Sequence, residues 1–183
     1  MARAALSRDA VVEIALGLVD DEGERGLTLS AVAGRAGVAT PSLYKHVRNL
    51  AELRELVSIR IMNELADEAG AAVLGRSGDE AVRALMRSWR TYVVRHPRRY
   101  SAMLQVPHPG LAEAGSRLLG IVLAALRAYG LGDSGAIHAA RCLRAAMHGF
   151  SVLEAEGAFG LPEKLDESYD LLIDMLTSGL GTD

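Results

Sequence analysis

The stretch LTLSAVAGRAGVATPSLYKHVRNLAEL, residues 27–53, predicts two short helices joined by a tight turn, with a third helix beginning behind them. The turn lies at residues 36–38, and Gly37 suits the left-handed backbone conformation in which a helix ends and the chain reverses. We expect Thr40 to cap the second helix and Pro41 to take its first position, where a missing N–H costs nothing.

The second helix, predicted over 41–47, is too short to be stable alone and must be held by packing. Leu43 and Val47, at an i,i+4 spacing, supply its inner face. Its other face is small, polar, aromatic and cationic, which suits the grooves and phosphates of DNA. The residues of this face are Thr40, Ser42, Tyr44, Lys45 and His46. Helix pairs with a glycine turn also occur in proteins that never meet DNA, so spacing alone leaves a purely structural role open.

Composition favours a helical intracellular protein. Of the 183 residues, 50% are hydrophobic but only 4% are aromatic, and the apolar residues are mostly Ala, Leu and Val. Ala and Leu favour helix, and no alternating strand pattern is evident. The longest strongly apolar run, residues 121–126, is far too short to cross a bilayer, so no membrane partner is expected. The single cysteine, Cys142, excludes an intramolecular disulfide and fits a reducing cytoplasm.

Charge is unevenly distributed, although the net charge is only −3. Residues 25–54 contain five basic residues and one acid, a local balance of +4, and an acidic cluster at 20–24 precedes them. DNA affinity depends on the local field at the contact face, so this balance favours a DNA-binding surface.

The segment resembles the helix-turn-helix of the TetR family of transcriptional repressors. The family pattern is a Leu-Thr start, an Ile/Val-Ala pair, Ala-Gly-Val and then Leu-Tyr-x-His-Phe/Val. This chain carries all four parts in that order, at 27–28, 32–33, 36–38 and 43–47. The resemblance implies a repressor that binds a palindromic operator in double-stranded DNA as a homodimer.

On such an operator we expect one set of side chains to hold phosphates and another to lie nearest the base edges. The first set is Thr28, Thr40, Tyr44 and His46, and the second is Ala39, Pro41, Ser42 and Lys45. The family often has a lysine at the start of the fourth helix, where this chain has Leu50. Either Arg48 or Arg54 supplies that phosphate contact, or the contact is missing.

Capping signals fix two further helix starts. Ser7 is expected to cap a first helix over about 8–20, whose apolar stripe packs over the helix-turn-helix. Asn49 and Glu52 form a start of the capping-box type for the fourth helix.

The remainder of the chain reads as a helical bundle. The glycine-rich segment 70–78 looks like the domain boundary, and Asp133 or Ser134 is expected to cap a later long helix. We predict an all-α fold with an N-terminal three-helix DNA-binding domain at 1–53. A C-terminal helical bundle for ligand binding and dimerisation is predicted at 54–183.

A second resemblance lies in the C-terminal half. Residues 147–150, Met-His-Gly-Phe, resemble a TetR-family C-terminal domain type with a Trp-His-Gly signature, with Met147 in place of the tryptophan. The resemblance implies a homodimer in which the last two long helices of each subunit form a four-helix interface. The candidate faces are Ala136, Ala139, Ala140 and Leu143 on one helix and Tyr169, Leu172, Ile173 and Leu176 on the other. The alternative is that both stripes belong to the monomer core.

The resemblance also implies a small-molecule pocket in the bundle, whose ligand changes the spacing of the two DNA-binding heads. Large and adaptable side chains predict an apolar or aromatic effector. The candidate lining residues are Met86, Trp89, Tyr92, Tyr100, Met103, Leu104, Leu118, Val122, Cys142, Met147, His148 and Phe150. Each of them also fits ordinary core packing.

Other functions find less support in the sequence. It contains no glycine-rich phosphate loop, nucleophile elbow or HExxH motif, so we expect neither an enzyme nor a cofactor. His138 and Cys142 are spaced i,i+4, with His148 further along, but they lack a clear third ligand and no metal site is predicted. The basic run 95–99 is expected to be a solvated helix end. The remaining alternatives are a helical ligand-binding protein without operator activity and a TetR-like activator.

Overall fold

The computed structural model describes residues 6–103 and 109–181, and no strand occurs among them. Their α-helices are α1 Arg8–Glu22, α2 Leu29–Ala36, α3 Leu50–Val73, α4 Gly78–Arg95, α5 Pro97–Ala102, α6 Ala112–Leu126, α7 Asp133–Ala155 and α8 Leu165–Leu180. Short 3₁₀-helices are Glu24–Gly26, Thr40–Lys45, Pro109–Leu111 and Arg127–Tyr129. The predicted all-α fold class is confirmed.

The chain divides into two compact units. The first is Met1–Met62 with Arg98–Ala112, and the second is Asn63–Pro97 with Glu113–Asp183. The division therefore falls inside α3, between the two positions, after residue 53 and within 70–78, at which the sequence suggested a boundary. Because a continuous helix crosses the division, no loop or change of composition marks it in the sequence.

The first unit is built on α1, which packs against α2. Ser7 caps α1 as predicted, since its hydroxyl oxygen accepts the Ala10 N–H at 3.1 Å. The buried residues of α1, α2 and the first part of α3 include Val11, Val12, Ala15, Leu16, Leu18, Val19, Val32, Leu53, Val57 and Ile61. Burying a Val, Leu or Ile side chain contributes about 1.5–3 kcal/mol relative to leaving it exposed.

The core of the second unit forms where α4 packs against both α7 and α8. The side chains that fill it include Val82, Leu85, Met86, Trp89, Leu143, Met147, Tyr169 and Ile173. The Tyr169 hydroxyl donates to the Met86 carbonyl oxygen at 2.7 Å, which satisfies a polar group inside an apolar core. Burial raises the pKa of Tyr169, so this phenol stays neutral and remains a donor.

The start of α7 differs from the prediction. Its N-cap is Gly132, with extended backbone, and no side chain makes the capping hydrogen bond. Asp133 instead lies in the first turn, where a carboxylate still interacts favourably with the positive end of the helix dipole.

One helical stretch among the described residues, Pro109–Tyr129, is long and apolar enough to cross a membrane by length and composition, with mean hydropathy 1.3. In the structure it consists of α6 flanked by two 3₁₀ turns. Val122, Ala125 and Leu126 of α6 are buried, and 28% of the apolar window lies buried inside the protein.

Candidate nucleic-acid interface

The turn that follows α2 has the predicted geometry. Gly37 ends α2 with φ 64° and ψ 37°, which is the left-handed region. The Val38 N–H donates to the Ala33 carbonyl oxygen at 3.0 Å, and the Gly37 N–H donates to the Gly34 carbonyl oxygen at 3.1 Å. These bonds satisfy carbonyl groups that the end of the helix leaves unpaired.

The segment after the turn is a 3₁₀-helix, Thr40–Lys45, and not the α-helix predicted over 41–47. We call Thr40–Lys45 the recognition segment. Its N-cap is Ala39, and no side chain makes a capping hydrogen bond, so the predicted capping by Thr40 is wrong. Leu43 is fully buried and Val47 is 2% exposed, and these two side chains anchor the segment as predicted.

All nine side chains predicted to contact DNA lie in the first unit, and they differ in exposure. Tyr44 is the most exposed aromatic residue among the described large hydrophobic residues, at 57%. The other exposed members are Thr28, Ala39, Pro41, Lys45 and Arg48. The half-buried members are Thr40, Ser42 and His46. The exposed face is thus aromatic and cationic, with small residues between.

Thr28 has a local structural role as well. It is the N-cap of α2, and its hydroxyl oxygen accepts the Ala31 N–H at 3.1 Å. A hydroxyl that accepts at its oxygen still has its own proton to donate. Thr28 can therefore hold α2 and donate to a phosphate with the same group.

Several arginines of this unit are engaged by carboxylates. Arg35 pairs with Asp21 at 2.7 Å, and Arg54 lies 3.9 Å from Glu24. Arg48 pairs with Glu52 but keeps a side chain that is 82% exposed. Within residues 6–103 and 109–181, no carboxylate pairs with Lys45. Lys45 therefore offers its full charge at the recognition segment.

The described residues predicted to line a ligand pocket are divided between the two units. Tyr100 and Met103 are buried in the first unit, and Cys142 is exposed. Leu104 lies outside the described residues. The other eight belong to the second unit: Met86, Trp89, Tyr92, Val122 and Met147 are buried, and Leu118, His148 and Phe150 are half-buried.

A charged cavity in the second unit was missed by the sequence reasoning. Its volume is about 490 Å³, and its lining residues are Arg87, Arg90, Thr91, Val94, Glu154, Asp166 and Asp170. The sequence does carry a signal for it, in arginines spaced along α4 at 83, 87 and 90 and aspartates along α8 at 166, 170 and 174. Such spacings place each set on one face of its helix.

Arg90 is the centre of this charged group. It donates to both oxygens of Glu154 at 2.5 and 2.7 Å and pairs with Asp166 at 2.8 Å. Its guanidinium carbon lies 4.9 Å from the centre of the Tyr169 ring and 5.7 Å from that of Phe150. The Glu154 carboxylate raises the pKa of Arg90, so the residue stays charged and joins α4 to α7 and α8.

Five of the residues predicted at a dimer interface belong instead to the core of the single chain. Leu143, Tyr169 and Ile173 have no exposed surface, and Ala139 and Ala140 are at most 9% exposed. Buried in the single chain, where α4 packs against both helices, they offer little area to a second subunit. The remaining three, Ala136, Leu172 and Leu176, are half-buried.

A helix, α2, that packs on α1 and is joined by a glycine turn to a short polar segment has the arrangement of a helix-turn-helix regulator. The family model for the tetracyclin repressor-like C-terminal domain matches residues 82–176. The chain belongs to the TetR family of transcriptional regulators.

Relatives agree with this assignment. An uncharacterised HTH-type transcriptional regulator of Mycobacterium tuberculosis is 38% identical over 158 residues, covering 84% of this chain and 72% of that protein. YobS, an uncharacterised HTH-type transcriptional regulator of Bacillus subtilis, is 33% identical over 180 residues, covering 97% of this chain and 94% of its own length.

Solved structures share the fold. BioQ, solved with its natural double-stranded DNA operator, has a TM-score of 0.75 and 23% identity, covering 98% of this chain and 100% of its own. A TetR variant from Acinetobacter baumannii, solved in complex with minocycline, has a TM-score of 0.74 and 18% identity, covering 96% of each chain.

Proposed function

We propose that this regulator is a cytoplasmic homodimeric repressor that binds a palindromic operator and is released by a small apolar or aromatic effector. The observation that carries the proposal is the recognition segment. Leu43 and Val47 hold it from behind, while Tyr44 and Lys45 stand exposed on it. A DNA-bound structure of the same fold, that of BioQ, supports the proposed partner.

In the proposed complex, two recognition segments enter successive major grooves about 34 Å apart. Lys45 has no ion pair with a carboxylate among the described residues, and it reads base edges together with the small residues Ala39, Pro41 and Ser42. Phosphates are held by hydroxyl, imidazole and guanidinium donors. These donors are Thr28, Thr40, Tyr44, His46 and Arg48.

The proposed dimer uses a different face of α7 and α8 from the one that the sequence indicated. On α8, Leu171 and Met175 are 60% and 65% exposed, and the helical period places Leu172 and Leu176 beside them. Asp170 and Asp174 of α8 pair with Arg87 and Arg83 of α4, whereas Glu167, four residues before Leu171, borders this apolar stripe. A predominantly apolar stripe with charges at its edge suits a subunit interface.

The matching face of α7 carries small residues. Cys142 and Ala145 are exposed, Gly149 is half-exposed, and Leu153 follows at 44% exposed. Small side chains at this spacing allow a second helix to approach closely, and Leu153 adds apolar area at the end of the stripe. The proposed four-helix interface thus uses the same two helices as the family arrangement, but other residues of those helices than the sequence analysis indicated.

The proposed effector site lies in the second unit around Met86, Trp89 and Met147, which are apolar or adaptable. The minocycline complex of a protein with the same fold supports a small-molecule site in such a bundle. Trp89 is the single tryptophan of the chain, so its emission reports on this region alone. Titration with planar aromatic compounds, minocycline among them, should change that emission and weaken operator binding in parallel.

The test of operator binding is fluorescence anisotropy of purified protein with labelled DNA from immediately upstream of its own gene, over a series of salt concentrations. We expect salt-sensitive binding that needs both halves of a palindrome and places two chains on each operator. Tyr44→Ala should weaken binding to every sequence. Equal binding to intact and halved palindromes, or no loss in Tyr44→Ala, would contradict the proposal.

A further inference from the structure

Glu52 joins two arginines that come from different parts of the first unit. Its Oε1 accepts from the Arg8 Nη2 at 2.7 Å, and its Oε2 accepts from the Arg48 backbone N at 2.5 Å and from the Arg48 Nε at 3.1 Å. The Glu52 side chain is only 13% exposed. The three hydrogen bonds hold its carboxylate in place. We call Arg8, Arg48 and Glu52 the arginine cluster.

The arginine cluster carries an excess positive charge. Two guanidiniums share one carboxylate, which leaves a balance of +1. The hydrogen bond from the Arg48 backbone, with that from the Arg48 side chain and the charges of both arginines, holds the pKa of Glu52 below its usual value. Each guanidinium has five N–H donors. With side chains 52% and 82% exposed, Arg8 and Arg48 keep donors available to solvent or to a ligand.

The position of the cluster favours an anionic ligand. α1 begins at Arg8 and α3 begins at Leu50, so the Arg8 side chain reaches from the first residue of α1 to Glu52 in the first turn of α3. A surface cavity of about 390 Å³ opens there, lined by residues 48–52 with 54 and 55. Arg48 follows the recognition segment by three residues, which places the cluster at the end of the proposed DNA-binding face.

We propose that Arg8, oriented together with Arg48 by Glu52, is a contact to the DNA phosphate backbone. The inference rests on the proposed operator binding and adds a residue of α1 to it. The family often has a lysine at the start of this helix, where this chain has Leu50, which cannot supply a phosphate contact. Two guanidiniums lie beside the start of the same helix and supply the contact instead. Arg54 is the less suitable alternative, because its Nε lies toward Glu24 and its side chain is 40% exposed.

The first test is Arg8→Gln, measured by anisotropy on the operator over a series of salt concentrations. Because two chains bind each operator, Arg8→Gln removes two phosphate contacts, which should weaken binding about 5- to 20-fold at moderate salt and reduce the slope of log K against log salt by about 2. The order of affinities among operator variants should stay the same, because phosphate contacts carry no direct sequence information. Wild-type affinity and slope in Arg8→Gln would overturn the inference.

Arg60→Gln is the matched control. Arg60 of α3 pairs with Glu13 of α1 at 2.7 Å, with a 47% exposed side chain, so it also forms an Arg–Glu pair between these helices. It lies eight residues beyond Glu52, about 12 Å along α3. We expect an unchanged salt slope in Arg60→Gln. An equal loss in both variants would assign the effect of Arg8 to general charge and overturn the inference.

The orienting role of Glu52 is tested by a double-mutant cycle. If Glu52 orients Arg8, Arg8→Gln should cost a smaller factor in the Glu52→Gln background than in the wild type. Equal factors in both backgrounds would mean that Arg8 acts without Glu52. Circular dichroism melting of each variant checks that it is folded.

Failure of this inference is distinguishable from failure of the proposed function. If wild-type protein binds and Tyr44→Ala weakens binding while Arg8→Gln does not, only the role of Arg8 is wrong. If wild-type protein shows no palindrome-dependent binding at all, the proposed operator function itself fails.

Discussion

Arg99 of α5 forms a two-point ion pair with Asp20 near the end of α1, with Nε–Oδ1 at 2.7 Å and Nη2–Oδ2 at 2.6 Å. Beside it, the Arg98 Nη1 donates to the carbonyl oxygens of Asp20 and Asp21 at 2.8 and 2.5 Å. Cations are favoured there because the last carbonyls of a helix lack partners within the helix. The basic run 95–99, expected to be a solvated helix end, is thus engaged by protein groups, and it fixes α5 to α1.

We predict that Asp20→Asn lowers the free energy of unfolding by about 1 kcal/mol, because a two-point charged pair is stronger than a single exposed contact. The measurement is urea unfolding followed by circular dichroism at neutral pH. Asp21→Asn is the control, since it loses only the single, more exposed pair with Arg35 and keeps its carbonyl oxygen. The control should stay within about 0.5 kcal/mol of wild type. Equal losses in both variants would contradict the prediction that the two-point pair contributes more to the free energy of unfolding than the single pair.

Gly37→Ala should lower the free energy of unfolding by about 1–2 kcal/mol, because a Cβ is strained in the left-handed conformation of this residue. Gly34 of α2 is the matched control, since a Cβ there meets no atom within 4 Å and its φ is not positive. Gly34→Ala should raise stability by up to about 1 kcal/mol, as alanine favours helix over glycine. The same urea measurement applies, and a neutral Gly37→Ala would contradict the prediction.

Local features of the fold were predictable because short-range chemistry decides them. Ser7 caps α1 and Gly37 ends α2, both as the sequence indicated. The conformation of the recognition segment was not predictable. Over two turns, a pattern such as Leu43 and Val47 does not distinguish 3.0 from 3.6 residues per turn.

Which side of each long helix is buried was harder to predict than where in the sequence the helix lies. The periodicity of α7 and α8 marks apolar residues on more than one side, and the sequence does not say which side α4 covers. In the structure, where α4 packs against both helices, Leu143 and Ile173 are buried whereas Leu171 and Met175 are exposed. The charged group around Arg90 was missed for a related reason, since its partners lie more than 60 residues away in the chain.

At the recognition segment, Lys45→Ala and Tyr44→Ala should have different effects. Lys45→Ala should relax discrimination at one operator base pair by about 1–3 kcal/mol, because it removes a contact to a base edge. Tyr44→Ala should lower affinity by a similar factor for all operator variants, since it removes a phosphate contact. Anisotropy with a set of single-base operator variants measures both. An unchanged order of affinities in Lys45→Ala would contradict its base-reading role.

Met175→Glu should weaken the proposed dimer at least tenfold, which corresponds to about 1.4 kcal/mol, because it places unpaired carboxylates in an apolar interface. Sedimentation equilibrium over a range of protein concentrations measures the dissociation constant. Leu74→Glu is the matched control, since Leu74 is 81% exposed but lies in the turn between α3 and α4, away from the proposed interface. Ile173→Ala should instead lower the stability of the folded chain by about 2–5 kcal/mol, as expected for a buried core residue. If Met175→Glu and Leu74→Glu dimerise equally well, the subunits meet through another face.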